Sequence, residues 1–452
     1  MEKSYYKLIL IWFLLISISQ LFADNPVIKG IGLTDPHIVI FGDSAYMYAT
    51  HDFSSANKTF VMKDWWVWSS ADLIHWKLIG TLKPESTYLK KPFNDCWAGF
   101  CVNKNNKYYW YFSAGPKNIG VVVANSPVGP WNDPLGKALL PKGLVSTEQR
   151  DPDILTDDNG KSYMVFGTFK YYIVRLGDDM ISLAETPKPV LLDRCFGPYG
   201  VGKTDDKPSL HKRNGIYYLS WSSFYAISPN IYGPYTYKGS VIVPENTTPE
   251  FKSDTTIKGD SNFLWKDRHG NFFTWHNQWF YTYNDASQPG ASAHFRDANI
   301  SYVHFRDNGE MAPIRIDRIG VGQYDAKSSI EAEDFFGSEG VIINESPDKG
   351  FMVRCLNDGC HILYPNVMNM PKKATLSFFV SSGNISGATI EVRENNKEGQ
   401  LLGKCKISNT GGWDKYQKIS CQIRNKKGKN NLCLLMKGYS GELIRLDWIK
   451  IN

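Results

Sequence analysis

One unit of hydrophobic and polar positions recurs between residues 30 and about 320. An apolar or aromatic strand is followed by a polar turn and then by a second strand rich in aromatic residues. The five copies place their turns at 41–44, 103–107, 156–160, 211–215 and 266–270, roughly 55–60 residues apart. Period-two alternation around Asn-Gly-type turns predicts β-hairpins, and a long fixed period predicts radial repetition. We therefore expect a five-bladed β-propeller whose inner strands meet around one axial pocket.

The pattern changes near residue 325. Beyond it, short alternating strands follow one another with turn signals every 8–15 residues and no helical periodicity. The predicted strands are 376–380, 389–392, 405–407, 418–423, 431–436 and 444–451. This spacing is typical of a β-sandwich of the jelly-roll kind. The sequence thus predicts an all-β protein with a propeller over 24–325 and a sandwich over 326–452.

Composition supports a packed protein and argues against a nucleic-acid partner. Hydrophobic residues make up 42% of the 452 residues and aromatic residues 14%, which is ample material for two cores. The net charge is +6, of which residues 326–452 supply +5 (18 Lys and Arg against 13 Asp and Glu) and the first 23 residues +1. Residues 24–325 are therefore neutral, whereas a nucleic-acid reader concentrates basic charge at its working surface.

The N-terminus predicts export. Lys3 and Lys7 precede the apolar run 8–18, and Ala23 marks a small-residue cleavage point, so we interpret 1–23 as a signal peptide. The run is shorter than the roughly 20 apolar residues of a membrane span, and no later stretch reaches that length. We expect a secreted or periplasmic monomer without an integral membrane segment, a retained anchor being the alternative.

The eight cysteines fit an oxidising compartment. Cys96 and Cys101 bracket one short stretch and Cys355 and Cys360 another, which suggests two or three structural disulfides plus spare thiols. No Cys and His spacing typical of zinc is present.

Three carboxylates stand where successive units begin. Asp35, Asp151 and Asp206 each lie one or two residues before a proline that leads into an inner strand. A turn explains any one Asp-Pro pair. Three in register, however, predict three carboxylates that face one end of the propeller axis.

These motifs resemble glycoside hydrolase family 43. The resemblance rests on 35–38, 69–76, 124–131, 151–153 and 212–220 and covers about residues 28–320. It implies inverting hydrolysis of furanosides or pentosides, with Asp35 as general base and Asp151 as the residue that orients the acid and tunes its pKa. An inverting enzyme needs a base that activates water and a protonated acid on the leaving oxygen, roughly 6.5–9.5 Å apart.

The chain departs from the family at two places. Where relatives carry a Glu as general acid, this chain has Asp206, one methylene shorter; Glu148, Glu250 and Asp205 are the alternatives. Where many relatives place a His near an axial metal or water, this chain has 259–262, Gly-Asp-Ser-Asn. We expect no catalytic cofactor and no calcium in the pocket.

Several further residues are candidates for contact with the sugar. Arg296 resembles a family position that reaches the pocket, and His37 shares the strand face of Asp35. The candidate aromatic walls, each of which also suits a propeller core, are Trp66, Trp97, Phe169, Trp221 and Trp279.

The C-terminal block resembles carbohydrate-binding module family 6 through 330–335, 410–413 and 446–449. The resemblance implies a structural calcium held by Glu331 or Glu333 with Asp447, oxygen ligands of the kind calcium prefers. The alternative is that these are surface acids at strand ends. Trp413 matches the sugar-stacking residue, but the usual partner aromatic falls near Cys355 and the usual Asn near Arg445.

Together these features predict an exported inverting exo-glycosidase acting on oligo- or polysaccharide. α-L-Arabinofuranosidase is the first expectation, with galactofuranosidase and β-xylosidase close behind. One rival is a non-catalytic glycan-binding propeller that has lost its acid, which only Asp206 favours. Another is a retaining fructan-cleaving enzyme, whose Asn-Asp-Pro nucleophile motif is absent.

Overall fold

The computed structural model describes residues 25–243, 268–286, 290–316, 319–347, 350–425 and 427–452. Its N-terminal part is a series of antiparallel sheets that form the blades of a propeller. Their strands are β1 (Leu33–Phe41), β2 (Ser44–His51), β3 (Trp65–Ser70) and β4 (Lys77–Leu82); β5 (Cys96–Lys104), β6 (Lys107–Ala114) and β7 (Asn118–Ala124); β8 (Asp153–Thr156), β9 (Ser162–Thr168), β10 (Lys170–Arg175) and β11 (Lys188–Pro189); β12 (Leu192–Asp193), β15 (Ser209–Arg213), β16 (Ile216–Trp221), β17 (Phe224–Ser228) and β18 (Tyr235–Ser240); and β20 (Gly270–Trp275), β21 (Gln278–Asp285) and β22 (Asp297–Val303).

Short elements connect these blades. They are the pair β13 (Phe196–Gly197) and β14 (Gly200–Val201), the pair β19 (Ile242–Val243) and β23 (Ile314–Arg315), and two 3₁₀ helices, Pro84–Ser86 and Gly115–Lys117. Within the described ranges, no helix has the length and apolar character needed to cross a membrane.

The first four predicted hairpins are confirmed. In each, the first strand lies on the axis side of its sheet and pairs antiparallel with the next: β1 with β2, β5 with β6, β8 with β9 and β15 with β16. The turns follow the sequence signals closely. The fourth contains Asn214 and Gly215, both with positive φ, a conformation that Asn and Gly tolerate best.

The fifth hairpin differs from its prediction. Its turn was expected at 266–270, but β20 begins at Gly270 and the turn is His276-Asn277, where both residues have positive φ. Aromatic alternation occurs on both sides of Gly270 in the sequence. The prediction therefore took Gly270 as the end of a turn, whereas it is the first residue of β20. The correction matters because it places residue 269, rather than a residue near 262, at the axis end of the inner strand.

The N-terminal segment closes the ring against the last blade. Asn25 donates its Nδ2 hydrogen to the Ile300 carbonyl at 3.0 Å and accepts from the Ile300 N–H at 2.9 Å. Val27 adds a backbone bond to Ala298. Between the neighbouring inner strands β1 and β20, Asn271 accepts from the Ile38 N–H at 2.8 Å and donates to the Ile38 carbonyl at 2.9 Å. The first and fifth blades are thereby fixed to each other.

The C-terminal domain is the predicted sandwich of two sheets, and all six predicted strands are present. One sheet contains β24 (Tyr324–Asp325), β26 (Gly337–Glu339), β29 (His361–Met370), β34 (Gly428–Lys437), β31 (Ala388–Glu394) and β32 (Leu401–Ile407). The other contains β25 (Ser329–Glu331), β27 (Val341–Glu345), β28 (Phe351–Cys355), β35 (Ile444–Ile451), β30 (Lys373–Ser382) and β33 (Gly412–Arg424). One hydrophobic cluster, which includes Ile362, Phe378 and Leu434, fills the space between them.

The sandwich packs on the fifth blade. Gln278, buried at the start of β21, donates its Nε2 hydrogens to the carbonyls of Glu333 and Phe335, at 2.7 and 3.0 Å. Phe336 enters the propeller cluster beside Trp275. These contacts join the opening segment of the sandwich to the blade that also carries residue 269.

Cysteine pairing is less extensive than expected. All eight cysteines are described, and they form one disulfide, Cys355–Cys360, beside six free thiols. Cys96 and Cys101 do not pair because both lie on β5, five residues apart in an extended strand. At about 3.3 Å per residue they are too far apart for a bridge, which requires Cα atoms within about 7 Å.

Replacing Asn271 with Ala tests the link between the first and last blades. The substitution leaves the N–H and C=O of Ile38 buried without partners, at about 1–3 kcal/mol each. We expect the propeller to lose about 2–4 kcal/mol of unfolding free energy in urea titration. Asn159→Ala, in an exposed turn, is the control and should cost under about 1 kcal/mol. Equal effects of the two variants would contradict this role for Asn271.

Candidate active site

A cavity of about 360 Å³ opens at one end of the propeller axis. The three predicted carboxylates, Asp35, Asp151 and Asp206, all line it, together with Arg150, Arg296 and His269. The structure therefore brings together three acids and three cationic groups from different blades. Charges that are far apart in sequence meet here because each blade contributes the segment that enters its inner strand.

The backbone at these blade entries is left-handed. Asp35 has φ 49°, Asp151 φ 56° and Lys207 φ 48°. Asp tolerates this region better than most residues do, and such outliers concentrate at functional sites. The conformation turns the chain sharply before the inner strand and directs the two Asp side chains into the cavity.

Asp35 is held as a carboxylate. It is 3% exposed, and its Oδ1 accepts hydrogen bonds from His269 Nδ1 and Asn284 Nδ2, both at 2.9 Å, and from Arg296 Nη1 at 3.4 Å. Burial alone would raise the pKa of Asp35, but Arg296 and His269, with a contribution from Lys207, hold it well below its ordinary value. An ionised carboxylate is the state that a general base requires.

Arg296 lies in the pocket, as predicted. Its guanidinium is fixed by Asp52 through Nε and Nη2, both at 3.1 Å, and its backbone N–H also donates to Asp52 at 2.8 Å. This forked arrangement leaves Nη1 directed at Asp35. Arg296 thus sets the charge state and the orientation of the predicted base.

His269 is the main residue that the sequence prediction missed. Its imidazole lies between two of the acids: Nδ1 contacts Asp35 Oδ1, and Nε2 contacts Asp206 Oδ1. Burial alone would lower the pKa of His269, but the carboxylates of Asp206 and Asp35 raise it well above its ordinary value. His269 is therefore an imidazolium that separates the two carboxyls by one ring. The sequence prediction placed residue 269 inside the fifth turn, so its register with the other blade entries becomes visible only because β20 begins at Gly270.

Arg150 joins the other two acids. Its Nη1 lies 2.9 Å from Asp206 Oδ2 and 3.6 Å from Asp151 Oδ2, while its Nε pairs with Glu148 at 2.8 Å. Burial raises the pKa of Asp151 to about 6, with Arg150 opposing the rise and Asp206 adding to it. Burial would also raise the pKa of Asp206, but His269 and Arg150 hold it well below its ordinary value. In the free protein the elevated pKa thus belongs to Asp151 and not to Asp206.

The alternative acids have different positions. Glu148 lines the cavity but is about half exposed and paired with Arg150. Asp205 is 2% exposed, accepts a hydrogen bond from the Ser222 hydroxyl, and bonds the N–H of Asp206. Its contacts make it a support for the Asp206 segment. Glu250 and 259–262 lie outside the described residues.

Two of the predicted aromatic walls line the cavity. Trp97 lies beneath the Arg150 guanidinium, 5.2 Å from its ring centroid, and Phe169 is 54% exposed at the rim. Phe169 meets Tyr199 edge to face at 5.3 Å, and Tyr199 was not among the predicted aromatic walls.

The predicted hydrogen-bonding residue His37 and the other three predicted aromatic walls are not in the cavity. His37 is fully buried on the axis below it, stacked on Phe100, with Nδ1 accepting the Cys101 N–H. Trp66 stacks on His51, and Trp221 is 1% exposed in the core of the fourth blade. Trp279 lines the opposite mouth of the axis. Strand alternation predicts an inward face but does not distinguish the axis from the interface between blades.

In the sandwich, Trp413 is half-buried and lies under Arg445, whose guanidinium is 5.2 Å from the ring centroid. Arg445 is held there by Glu442 at 2.8 Å and Asp414 at 3.3 Å. One face of the predicted stacking ring is therefore covered by a cation.

The predicted calcium ligands lie at the start and end of the sandwich. Glu333 and Asp447 are each 7% exposed, and Glu331 is exposed at the end of β25. Burial and then the nearby Asp334, Glu331 and Asp447 raise the pKa of Glu333 to about 9. Throughout the described ranges, no three His, Cys, Asp or Glu side chains form a group arranged to hold a metal ion.

Comparison with known proteins places this arrangement in a family. The model of glycosyl hydrolases family 43 matches residues 23–311, and that of carbohydrate binding module family 6 matches residues 331–452.

Several curated proteins are similar over much of the chain. An arabinoxylan arabinofuranohydrolase of Paenibacillus polymyxa is 25% identical over 94% of this chain and 73% of its own length. A second, from Bacillus subtilis, is 23% identical over 94% and 91%. A β-D-galactofuranosidase of Aspergillus niger is 28% identical over 66% and 87%.

Among solved structures, a Bacillus subtilis family 43 arabinoxylan arabinofuranohydrolase superposes with a TM-score of 0.54 at 21% identity, covering 96% of this chain and 98% of that one. Its likeness supports the fold, and the family model supports the chemistry of the site. This chain belongs to glycosyl hydrolases family 43, whose members hydrolyse glycosidic bonds with inversion at the anomeric carbon, and its residues 331–452 form a family 6 carbohydrate-binding module.

Proposed function

We propose that this inverting hydrolase removes terminal α-L-arabinofuranosyl residues from arabinoxylan-type polysaccharide. The observation on which the mechanism rests is the placement of Asp35 and Asp206 on opposite sides of the His269 ring. Two contacts and one imidazole ring separate the carboxyls. This is compatible with the roughly 6.5–9.5 Å that an inverting enzyme needs to fit a water beside the sugar.

The choice of sugar rests on the relatives. Two arabinoxylan arabinofuranohydrolases match 94% of the chain, across both domains. The cavity, about 360 Å³, is at the small end of the range for ligand sites, roughly 300–1,000 Å³. A small pocket suits one terminal sugar. Galactofuranosides and β-xylosides are the alternative substrates.

In this mechanism Asp35 takes the proton of the attacking water. Arg296 and Asn284 fix its carboxylate, so the base is ionised before substrate arrives.

Asp206 protonates the leaving oxygen. In the free protein Asp206 is ionised, and it takes its proton from the His269 imidazolium that it contacts as the substrate excludes water. Asp151 shares Arg150 with Asp206 and couples to its protonation.

Asp151 is the second candidate for the acid. Its raised pKa, about 6, makes it a better proton carrier in the free protein than Asp206. Two carboxyls that share one cation titrate as a pair, so variants must separate the two roles.

We also propose a structural calcium in the sandwich. Glu333 Oε2 is buried and makes no hydrogen bond to another described residue. The negative charges of Glu331 and Asp447 are near enough to raise the pKa of Glu333. Buried carboxylates of like sign favour a cation between them, and calcium takes such oxygen ligands. Glu331 or Glu333 with Asp447 would hold the ion, and the orphaned Oε2 favours Glu333.

Export stays a prediction, because residues 1–23 lie outside the described part of the chain. The Cys355–Cys360 disulfide supports it, since disulfides persist in oxidising compartments. Determining the N-terminal residue of the mature protein would test whether the signal peptide 1–23 is removed.

Asp35→Asn should abolish hydrolysis while leaving the fold and sugar binding intact, because an amide cannot accept the proton of water. We expect kcat on nitrophenyl α-L-arabinofuranoside to fall by about 10²–10⁴-fold or more. Asp43→Asn, in the exposed turn between β1 and β2, is the matched control. Activity of Asp35→Asn within tenfold of wild type would exclude Asp35 as the base. No release by wild type from any nitrophenyl glycoside would favour the non-catalytic alternative.

Asp206→Ala and Asp151→Ala identify the acid. A dinitrophenolate leaves without a proton, whereas a sugar hydroxyl needs one in the transition state. The variant that lacks the acid should therefore keep most activity on the dinitrophenyl glycoside, lose activity on arabinoxylan oligosaccharide, and lose the basic limb of its pH–rate profile. We expect this pattern for Asp206→Ala. If Asp151→Ala alone shows it, the roles are exchanged.

Chelation tests the calcium. A metal that binds only the folded sandwich stabilises it by mass action, so chelator should lower the Tm of the full chain and added calcium should restore it. Glu333→Gln should abolish this dependence, whereas Glu339→Gln, an exposed carboxylate paired with Lys397, should preserve it. A Tm that is unchanged by chelator, with no calcium found by elemental analysis, would reject the site.

A further inference from the structure

Lys207 is a buried lysine at the centre of the propeller. It lies between Asp206 and Pro208, directly before β15, and is 2% exposed. Its backbone N–H donates to Asp151 Oδ2 at 3.2 Å, and its Nζ lies 3.5 Å from the Gly99 carbonyl on β5. The side chain therefore reaches from the fourth blade toward the second, beneath the active-site cavity.

The backbone of Lys207 is unusual for such a side chain. Its φ of 48° is in the left-handed region, which favours glycine and is uncommon for long residues. A residue that is held in this conformation and buried with a charge has no structural reason to be lysine unless the charge is used. Backbone outliers of this kind point to a functional constraint.

The polar groups around the axis lack partners that a cation would supply. Asp153 is 1% exposed, and its Oδ1 makes no hydrogen bond to any described residue. Burial raises the pKa of Asp153 to about 7, and the charge of Lys207 opposes that rise. Among the described residues, the one hydrogen bond of Nζ is the long contact with the Gly99 carbonyl. The ammonium is thus placed by its surroundings mainly as a charge.

We propose that Lys207 is a positioning residue that serves as a built-in cation of the propeller axis. Its ammonium partly offsets the burial of the Asp153 carboxyl, whose Oδ1 has no hydrogen-bond partner among the described residues, and its main-chain N–H holds Asp151. An axis with a tethered cation has no need to recruit a free one. The effect on activity rests on the proposed roles of Asp151 and Asp206, whereas the effect on the cation requirement of the fold does not.

The test compares Lys207→Gly with Lys203→Gly, an exposed lysine in the same segment. Glycine suits the left-handed backbone, so the first variant removes only the side chain and its charge. We expect Lys207→Gly to lose several degrees of Tm and about tenfold or more in kcat/KM on nitrophenyl α-L-arabinofuranoside, because the segment that carries Asp206 and holds Asp151 is then less firmly placed and a misplacement of about 1 Å can cost about 10²-fold in rate. Ammonium or methylammonium chloride should restore both in a saturable way. Tetramethylammonium chloride, too large for the vacated space, should not. Lys203→Gly should show neither loss nor rescue.

Lys207→Met, which keeps the apolar stem without the charge, provides a second measurement if the glycine variant does not fold. Its Tm and kcat/KM should fall as for Lys207→Gly. Wild-type values in both variants, or a loss in the glycine variant that no small cation reverses, would overturn the proposal. The Tm measurement needs no catalysis, so a wild-type protein without arabinofuranosidase activity would reject the proposed function and leave Lys207 to be decided by cation-dependent stability.

Discussion

The compensation of buried charge at the propeller axis is the constraint on which the site depends. Asp35, Asp151 and Asp52 are nearly inaccessible to solvent, and an unpaired carboxylate in such a place costs several kcal/mol. Arg296 meets this cost for Asp35 and Asp52 together, and Arg150 does so for Asp151 and Asp206. Each arginine therefore determines which carboxyls are ionised and in which orientation.

This constraint also explains how an aspartate can stand where relatives carry a glutamate. Asp206 is one methylene shorter, yet its two oxygens contact His269 and Arg150, so the carboxyl is anchored on both sides. The same anchoring keeps it ionised in the free protein. In the proposed mechanism, the shorter side chain at this position therefore changes the protonation of the pocket as well as the reach of the acid, and the imidazolium of His269 supplies the proton.

The two domains are connected through the blade that carries His269. Gln278 on β21 bonds the carbonyls of Glu333 and Phe335, and Phe336 packs beside Trp275. The opening segment of the sandwich therefore completes the outer packing of the fifth blade while also carrying the proposed calcium ligand Glu333. A single short segment serves the packing of both domains, because its main chain faces the propeller.

The sequence by itself determined the all-β class, four of the five blade hairpins, the six sandwich strands and the three carboxylates of the pocket. These follow from local rules: period-two alternation, turn chemistry and recurrence in register. Only the tertiary structure decided that His269 lies between Asp35 and Asp206, that Lys207 points into the axis, and that His37, Trp66, Trp221 and Trp279 lie away from the cavity. These outcomes depend on which blade faces which across the axis and on the mutual pairing of charges from distant segments. Alternation along one strand specifies a face, but only the closed ring specifies what that face meets.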